Sequence, residues 1–275
     1  MHINSISKSN IYGIDFSGAK HACKKIWISK GTIDNNSLHI NECRPLSDHT
    51  KNPLQRDQCL AALKSLITSN SHAAFGLDFP FGLPETLINE DNWEEFILKF
   101  PEQYSSPDQF RQTCRNATDN KELKRLTDNQ SRAPFSPYNL RIYRQTYFGI
   151  HDVLYPLVMD RSACILPMQH PDKEKPCVFE ICPASTLKHE GLYYKYKGNT
   201  GAHKRSRTRI LDCLVEKELI DTISSKVRTM AIEDTQGDAL DSIIAAAATY
   251  RALLSYNNYN TEVCDVYEIE GYIFI

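Results

Sequence analysis

The sequence predicts an α/β domain, a sheet flanked by helices with acidic residues gathered at one edge of the sheet. Three observations point there. The chain opens on three short apolar runs, an amphipathic segment and another apolar run, which reads as strand, strand, strand, helix, strand. Two of these runs close on one pattern, "YGIDFSG" and "FGLDFPFG": glycine, an apolar residue, aspartate, phenylalanine, then a breaker. Towards the other end, "GDALDSIIAAAATYRALL" starts on two aspartates and has the small residues of a helix packed tightly on a sheet.

Taken in order, "IYGIDF" (11–16), "KKIWIS" (24–29) and "SLHINE" (37–42) are predicted strands. The turn residues of "KGTIDNN" between the last two predict an antiparallel meander. "LQRDQCLAALKSLITS" (54–69) places Leu60, Leu63, Leu66 and Ile67 at helical spacing. "HAAFGLDFP" (72–80) reads as a buried strand closed by Pro80. Residues 84–160 are polar and aromatic, with helices predicted near 92–100, 107–115 and 140–158 and a proline-rich link, "RAPFSPYN". No flexible linker bounds this stretch, so it is expected as a helical cap inserted into a single domain spanning 1–275. "CVFEIC" (177–182) is a strand stopped by Pro183, and "HKRSRTRILDCLVEKELI" (203–220) a basic, then amphipathic, helix. Residues 238–254 form the alanine-rich helix, and the tail "YEIEGYIFI" offers an edge strand.

The formal charge of −2 excludes a strongly basic nucleic-acid binder, so any polyanion site must be a local patch. Nine cysteines without a Cys-x-x-Cys pair argue against a disulfide framework and a zinc ribbon, and are expected to act as small hydrophobes. No segment approaches the ~18 apolar residues of a membrane span, and "MHINSISKSN" lacks a signal-peptide core. A reducing, cytoplasmic setting without membrane contact is the resulting expectation.

The chemistry rests on the acids. Asp15 and Asp78 each fall near the C-terminal end of a strand, where open α/β sheets collect ligands; either alone also reads as a turn starter. Asp238 and Asp241 are three residues apart in a helix's first turn and share one side of it; first-turn aspartates also serve the helix dipole. Glu180 is either a fourth site carboxylate or an edge residue facing water. Clustered carboxylates repel unless a cation lies among them, and hard oxygen ligands suit Mg2+ or Mn2+. Two such ions ~3.5–4 Å apart hydrolyse phosphodiesters.

These stretches resemble the ribonuclease H-like superfamily and, within it, domain-of-unknown-function family 429, described as predicted nucleases. The likeness is carried by "YGIDFSGAK", "FGLDFPFGLP", "PFSPYNLRIYRQTYFGIHDVLYPL", "VFEICPAS" and "GDALDSIIAAAATYRAL", spread over 11–254. It implies a mixed five-stranded sheet, three antiparallel strands then parallel ones, with helices on both faces. It implies a metal site in which Asp15 is the first-strand aspartate and Asp78 the acid ending the fourth strand, a position more often Glu in nuclease relatives. Asp238 and Asp241 resemble the spaced aspartates that open the last catalytic helix of Holliday-junction resolvases. Glu180 has no counterpart in the minimal set.

Phosphate contacts are expected from two basic segments. Residues 188–209 carry Lys197, Lys204, Arg205 and Arg209, with Tyr193, Tyr194 and Tyr196 interleaved for base stacking. Residues 139–157 carry Arg141 and Arg144, which either bind phosphate or pair with acids inside the fold; Lys20 follows the first aspartate. The leading expectation is a metal-dependent nuclease acting on DNA or RNA. Two others stand beside it. One is a nucleotide-binding phosphotransferase of the actin and sugar-kinase type, for which Gly18 comes one residue late. The other is a non-catalytic nucleic-acid-binding module with a relic site.

Overall fold

The computed structural model describes residues 7–49, 55–258 and 265–275. The first residue of the helix expected over 54–69 lies outside them. The strands are β1 (Asn10–Asp15), β2 (Trp27–Asp34), β3 (Ser37–Pro45), β4 (Ala73–Leu77), β5 (Cys164–Leu166), β6 (Cys177–Ile181), β7 (Thr222–Ile223) and β8 (Ile273–Phe274). The helices are α1 (Ala22–Lys25), α2 (Arg56–Thr68), α3 (Trp93–Gln103), α4 (Pro107–Ala117), α5 (Leu126–Gln130), α6 (Tyr143–Gly149), α7 (Tyr155–Met159), α8 (Pro183–His189), α9 (Gly201–Glu216), α10 (Ser225–Glu233), α11 (Asp238–Asn258) and α12 (Asp265–Glu270). One π-helical turn, Ile150–Leu154, joins α6 to α7.

The sheet runs β5-β6-β4-β1-β2-β3-β7, with β8 beside β6. β1, β2 and β3 form an antiparallel meander, and β4 and β6 continue parallel to β1. This is the ribonuclease H-like topology: β3-β2-β1-β4-β6 are the five expected strands, and three short strands extend them. The tail strand pairs with Glu180 and Ile181 of β6. The second strand starts at Trp27, later than expected, because residues 22–25 close one helical turn first.

Strand parity divides the core. Tyr12, Ile14, Phe75, Leu77 and Val178 point to one face, under α2, α3 and the α6–α7 segment. Ile11, Ala74, Phe179 and Ile181 point to the other, under α8 to α11. Two glycines set how close α11 comes. A Cβ on Gly13 would lie 2.2 Å from Ser242 O and 2.1 Å from Ala246 N; one on Gly76 would lie 1.9 Å from Thr249 Oγ1. The alanines of α11 and these glycines together let a helix backbone rest on the sheet.

One cysteine expectation is corrected. Cys23 and Cys59 form a disulfide between α1 and α2, with Cα atoms 5.5 Å apart. Their pairing follows from the packing of the two helices, which a separation of 36 residues in sequence conceals. Cys43, Cys114, Cys164, Cys177 and Cys213 are buried thiols, as expected. No helix among the described residues is long and apolar enough to cross a membrane.

Candidate active site

Ile14 and Leu77 are partners across β1 and β4, and Asp78 N donates to Ile14 O at 3.0 Å. Asp15 and Asp78 therefore leave neighbouring parallel strands side by side. By alternation both point to the face that Gly13 and Gly76 open to α11. The close approach at Gly13 carries the first turn of α11, and with it Asp241, to the same strand ends. Three elements far apart in sequence thus deliver three carboxylates to one place.

Asp241 is buried and fully partnered. Lys197 Nζ lies 2.7 Å from its Oδ2, and the Tyr196 hydroxyl donates to its Oδ1 at 2.5 Å. Asp15 and Asp78 are only partly buried, and among the described residues no protein donor meets either carboxylate. Asp238 sits at the rim, 3.8 Å from Lys25 Nζ. Burial, then Asp241, Asp78 and Asp238, push the Asp15 carboxyl well above its ordinary range, with Lys197 acting the other way. Asp78 is pushed up to about 8, by burial first and Asp241 next, again against Lys197. Burial also raises Asp241, opposed by Lys197 and Tyr196. Three carboxylates with one ammonium among them, and Asp238 with Lys25 at the rim, make a site short of positive charge.

The loop that brings Lys197 is held by a buried arginine. Arg207 of α9 donates through Nη1 to Tyr196 O at 2.6 Å and Gly198 O at 2.9 Å, and through Nε to Ile232 O at 2.8 Å. Tyr196, expected as a stacking ring, instead buries its ring and spends its hydroxyl on Asp241.

Glu180 belongs to a different network. Its partner across β4 is Leu77, one residue before Asp78, so parity turns it to the opposite face. There it is buried on the Arg125 guanidinium, which donates to Glu180 Oε2 at 2.8 Å and to Asp128 Oδ1 at 2.8 Å. Phe81 N donates to Glu180 Oε2 at 2.9 Å. The solvent-facing reading of Glu180 is thereby corrected: Arg125 and the Phe81 backbone enclose it, and only an edge of it reaches the cleft. Arg125 and Asp128 themselves sit in a polar stretch whose composition does not advertise a buried pair.

A cleft of about 740 Å³ opens over the carboxylates. Asp15, Asp78, Asp241, Glu180, Arg141 and Lys197 all border it. The remaining basic candidates do not. Arg144 pairs with Asp108 at 3.5 Å, Arg209 with Glu216 at 3.1 Å, and Lys204 with Glu233. Lys20 and Arg205 are exposed away from it.

Among the described residues, no three His, Cys, Asp or Glu side chains stand close enough to enclose an ion as placed. The donor set nevertheless suits Mg2+ or Mn2+, since Asp15 and Asp78 present hard oxygens that no protein donor uses. An ion on those two disturbs no existing contact, whereas one on Asp241 takes the place of Lys197.

Fold and site together define a ribonuclease H-like α/β domain with a carboxylate-lined cleft. No protein-family model, no curated protein and no solved structure matches the chain.

Proposed function

We propose that this protein is a metal-dependent nuclease that hydrolyses phosphodiester bonds of DNA or RNA. One observation carries the reading: Asp15, Asp78 and Asp241 gather at the C-terminal ends of adjacent parallel strands, and among the described residues no protein donor meets the carboxylates of the first two. The likeness to domain-of-unknown-function family 429 rests on the motifs named above and forms part of this proposal.

In this reading Asp15 and Asp78 hold Mg2+ or Mn2+, and Asp241 joins them where a second ion displaces Lys197. The bound metal supplies an activated water and a Lewis acid for the phosphoryl oxygen. Water would then bond to phosphorus as the bond to the leaving sugar oxygen breaks; a carboxylate of the Asp15, Asp78 and Asp241 group would take the water's proton, and solvent would protonate the leaving oxygen. Lys197 stands ready to offset charge on the phosphoryl oxygens. Arg141 borders the same cleft and meets the flanking phosphate.

Incubation with single- and double-stranded DNA, RNA, hybrids and branched substrates in Mg2+ and in Mn2+ tests this. Cleavage is expected in at least one metal, lost on adding chelator and lost in Asp15→Asn with the circular dichroism spectrum unchanged. A wild-type protein inert towards all of these substrates in both metals would overturn it.

A further inference from the structure

The walls of the cleft differ in kind from its floor. On one side Tyr193 and Tyr194 stand 55% and 43% exposed, immediately before Lys195 and the two residues that grip Asp241. On the other side Arg141 lies over the Phe135 ring, 5.5 Å from its centroid. Lys188 Nζ lies 5.0 Å from the Tyr193 ring centroid, so this wall too pairs exposed aromatic faces with cations at the mouth of the cleft. The adjoining cations sharpen this. Lys204, Arg209 and Arg144 are all paired with carboxylates, yet Arg141 and Lys195 have no carboxylate partner among the described residues.

Cations without a carboxylate partner beside aromatic faces match a ligand with alternating phosphates and flat bases. A duplex offers the phosphates but not the faces, because its bases already stack on one another. The cleft volume, about 740 Å³, is in the range of about 300–1,000 Å³ that encloses a drug-sized ligand, which suits a short stretch of one strand. We infer that Tyr193, Tyr194 and Phe135 stack unpaired bases while Arg141 and Lys195 hold the phosphates, so that the protein takes a single polynucleotide strand in preference to a duplex. This names the substrate class for the nuclease proposed above and rests on that reading for its biological meaning. Binding itself needs neither metal nor catalysis.

Fluorescence anisotropy on Asp15→Asn in chelator separates the two. The probes are end-labelled 12-mers: deoxythymidylate, uridylate and a blunt mixed-sequence DNA duplex. At least one single strand is expected to bind ten times or more tighter than the duplex, and comparison of the two strands tells DNA from RNA. Tyr193→Ala with Tyr194→Ala is expected to weaken single-strand binding about tenfold or more, with the Phe double variant restoring it. Arg141→Gln with Lys195→Gln is expected to reduce the dependence of log affinity on log salt by about 1.4, about 0.7 per phosphate contact. Duplex binding as tight as single-strand binding, or an Ala double variant that binds like its parent, would overturn the inference. If a strand binds as expected but wild-type protein with metal cleaves nothing, the nuclease reading alone fails.

Discussion

Lys197 Nζ stands 2.7 Å from Asp241 Oδ2, inside a cluster where, among the described residues, Asp15 and Asp78 have no ion-pair partner and Asp238 reaches only Lys25 at the rim. The ammonium offsets part of the repulsion among Asp15, Asp78, Asp238 and Asp241 and occupies one ligand position of Asp241. Lys197→Met removes that charge and leaves the carboxylates more strongly opposed. The metal-free variant is expected to lose about 1 kcal/mol at pH 8, a small cost because the lysine is half exposed, or roughly 2–4 °C in Tm. Millimolar Mn2+ is expected to raise its Tm by more than it raises that of wild type. Equal metal-induced shifts in thermal melts would show that Lys197 does not compete for the cation position.

The pH response has a definite sign. In the ion-free folded protein Asp78 keeps its proton up to about pH 8, held by burial first and by Asp241 next. The unfolded chain releases it near the ordinary value of about 4. Between those limits the folded state binds more protons, so stability falls as pH rises, and the loss is complete above the folded value. Asp15 contributes in the same direction. Urea titrations in chelator from pH 5 to pH 8 are expected to show wild type losing stability and Asp78→Asn losing distinctly less. Parallel curves would mean that Asp78 is not a proton-holding group.

The site acids and the acids of the Arg125 network are expected to behave oppositely. Glu180 and Asp128 share the Arg125 guanidinium, so Glu180→Gln weakens a fully enclosed network and Arg125→Met leaves two acids without a partner. Arg125→Met is expected to cost about 3–5 kcal/mol. Asp15→Asn instead relieves repulsion and is expected to raise the Tm of the metal-free protein while removing cleavage. Calorimetric melts of the three variants decide it; a destabilised Asp15→Asn beside a neutral Arg125→Met would reverse the assignment of site and scaffold.

Much of this arrangement is readable in the sequence because it is local. Asp15 and Asp78 stand out by their repeated surroundings, and Asp241 by its place at the head of an alanine-rich helix. Glu180 shows where local reading ends. Its strand is recognisable, but which face it takes depends on the register that pairs it with Leu77, set by contacts across more than a hundred residues of sequence. Lys197 reads in sequence as one phosphate-binding cation of the basic 188–209 segment, while its pairing with Asp241 is not legible, because the buried Arg207 that fixes its loop looks like one more base in a basic run. The short strands β5 and β7 carry too few residues for a period-two pattern to register, whereas β8 lies in the tail that reads as an edge strand.

The glycine beneath α11 is the sharpest mechanical test. Gly13 lies in the middle of β1, where a Cβ would meet Ala246 N at 2.1 Å and Ser242 O at 2.2 Å. Both are backbone atoms of a buried helix, so neither can swing aside as a side-chain tip would. Gly13→Ala must therefore lift α11 from the sheet or shift β1. Overpacking of this sort costs about 1–3 kcal/mol, and a contact with backbone on both sides belongs at the upper end. Asp241 rides on the first turn of that helix, so the same displacement carries it away from Asp15. The variant is expected to unfold at lower urea and, where still folded, to bind Mn2+ more weakly by calorimetry, whereas Gly31→Ala on β2 strains packing remote from the acids. Loss of stability with unchanged Mn2+ affinity would show that the seating of α11 on Gly13 does not place the third carboxylate.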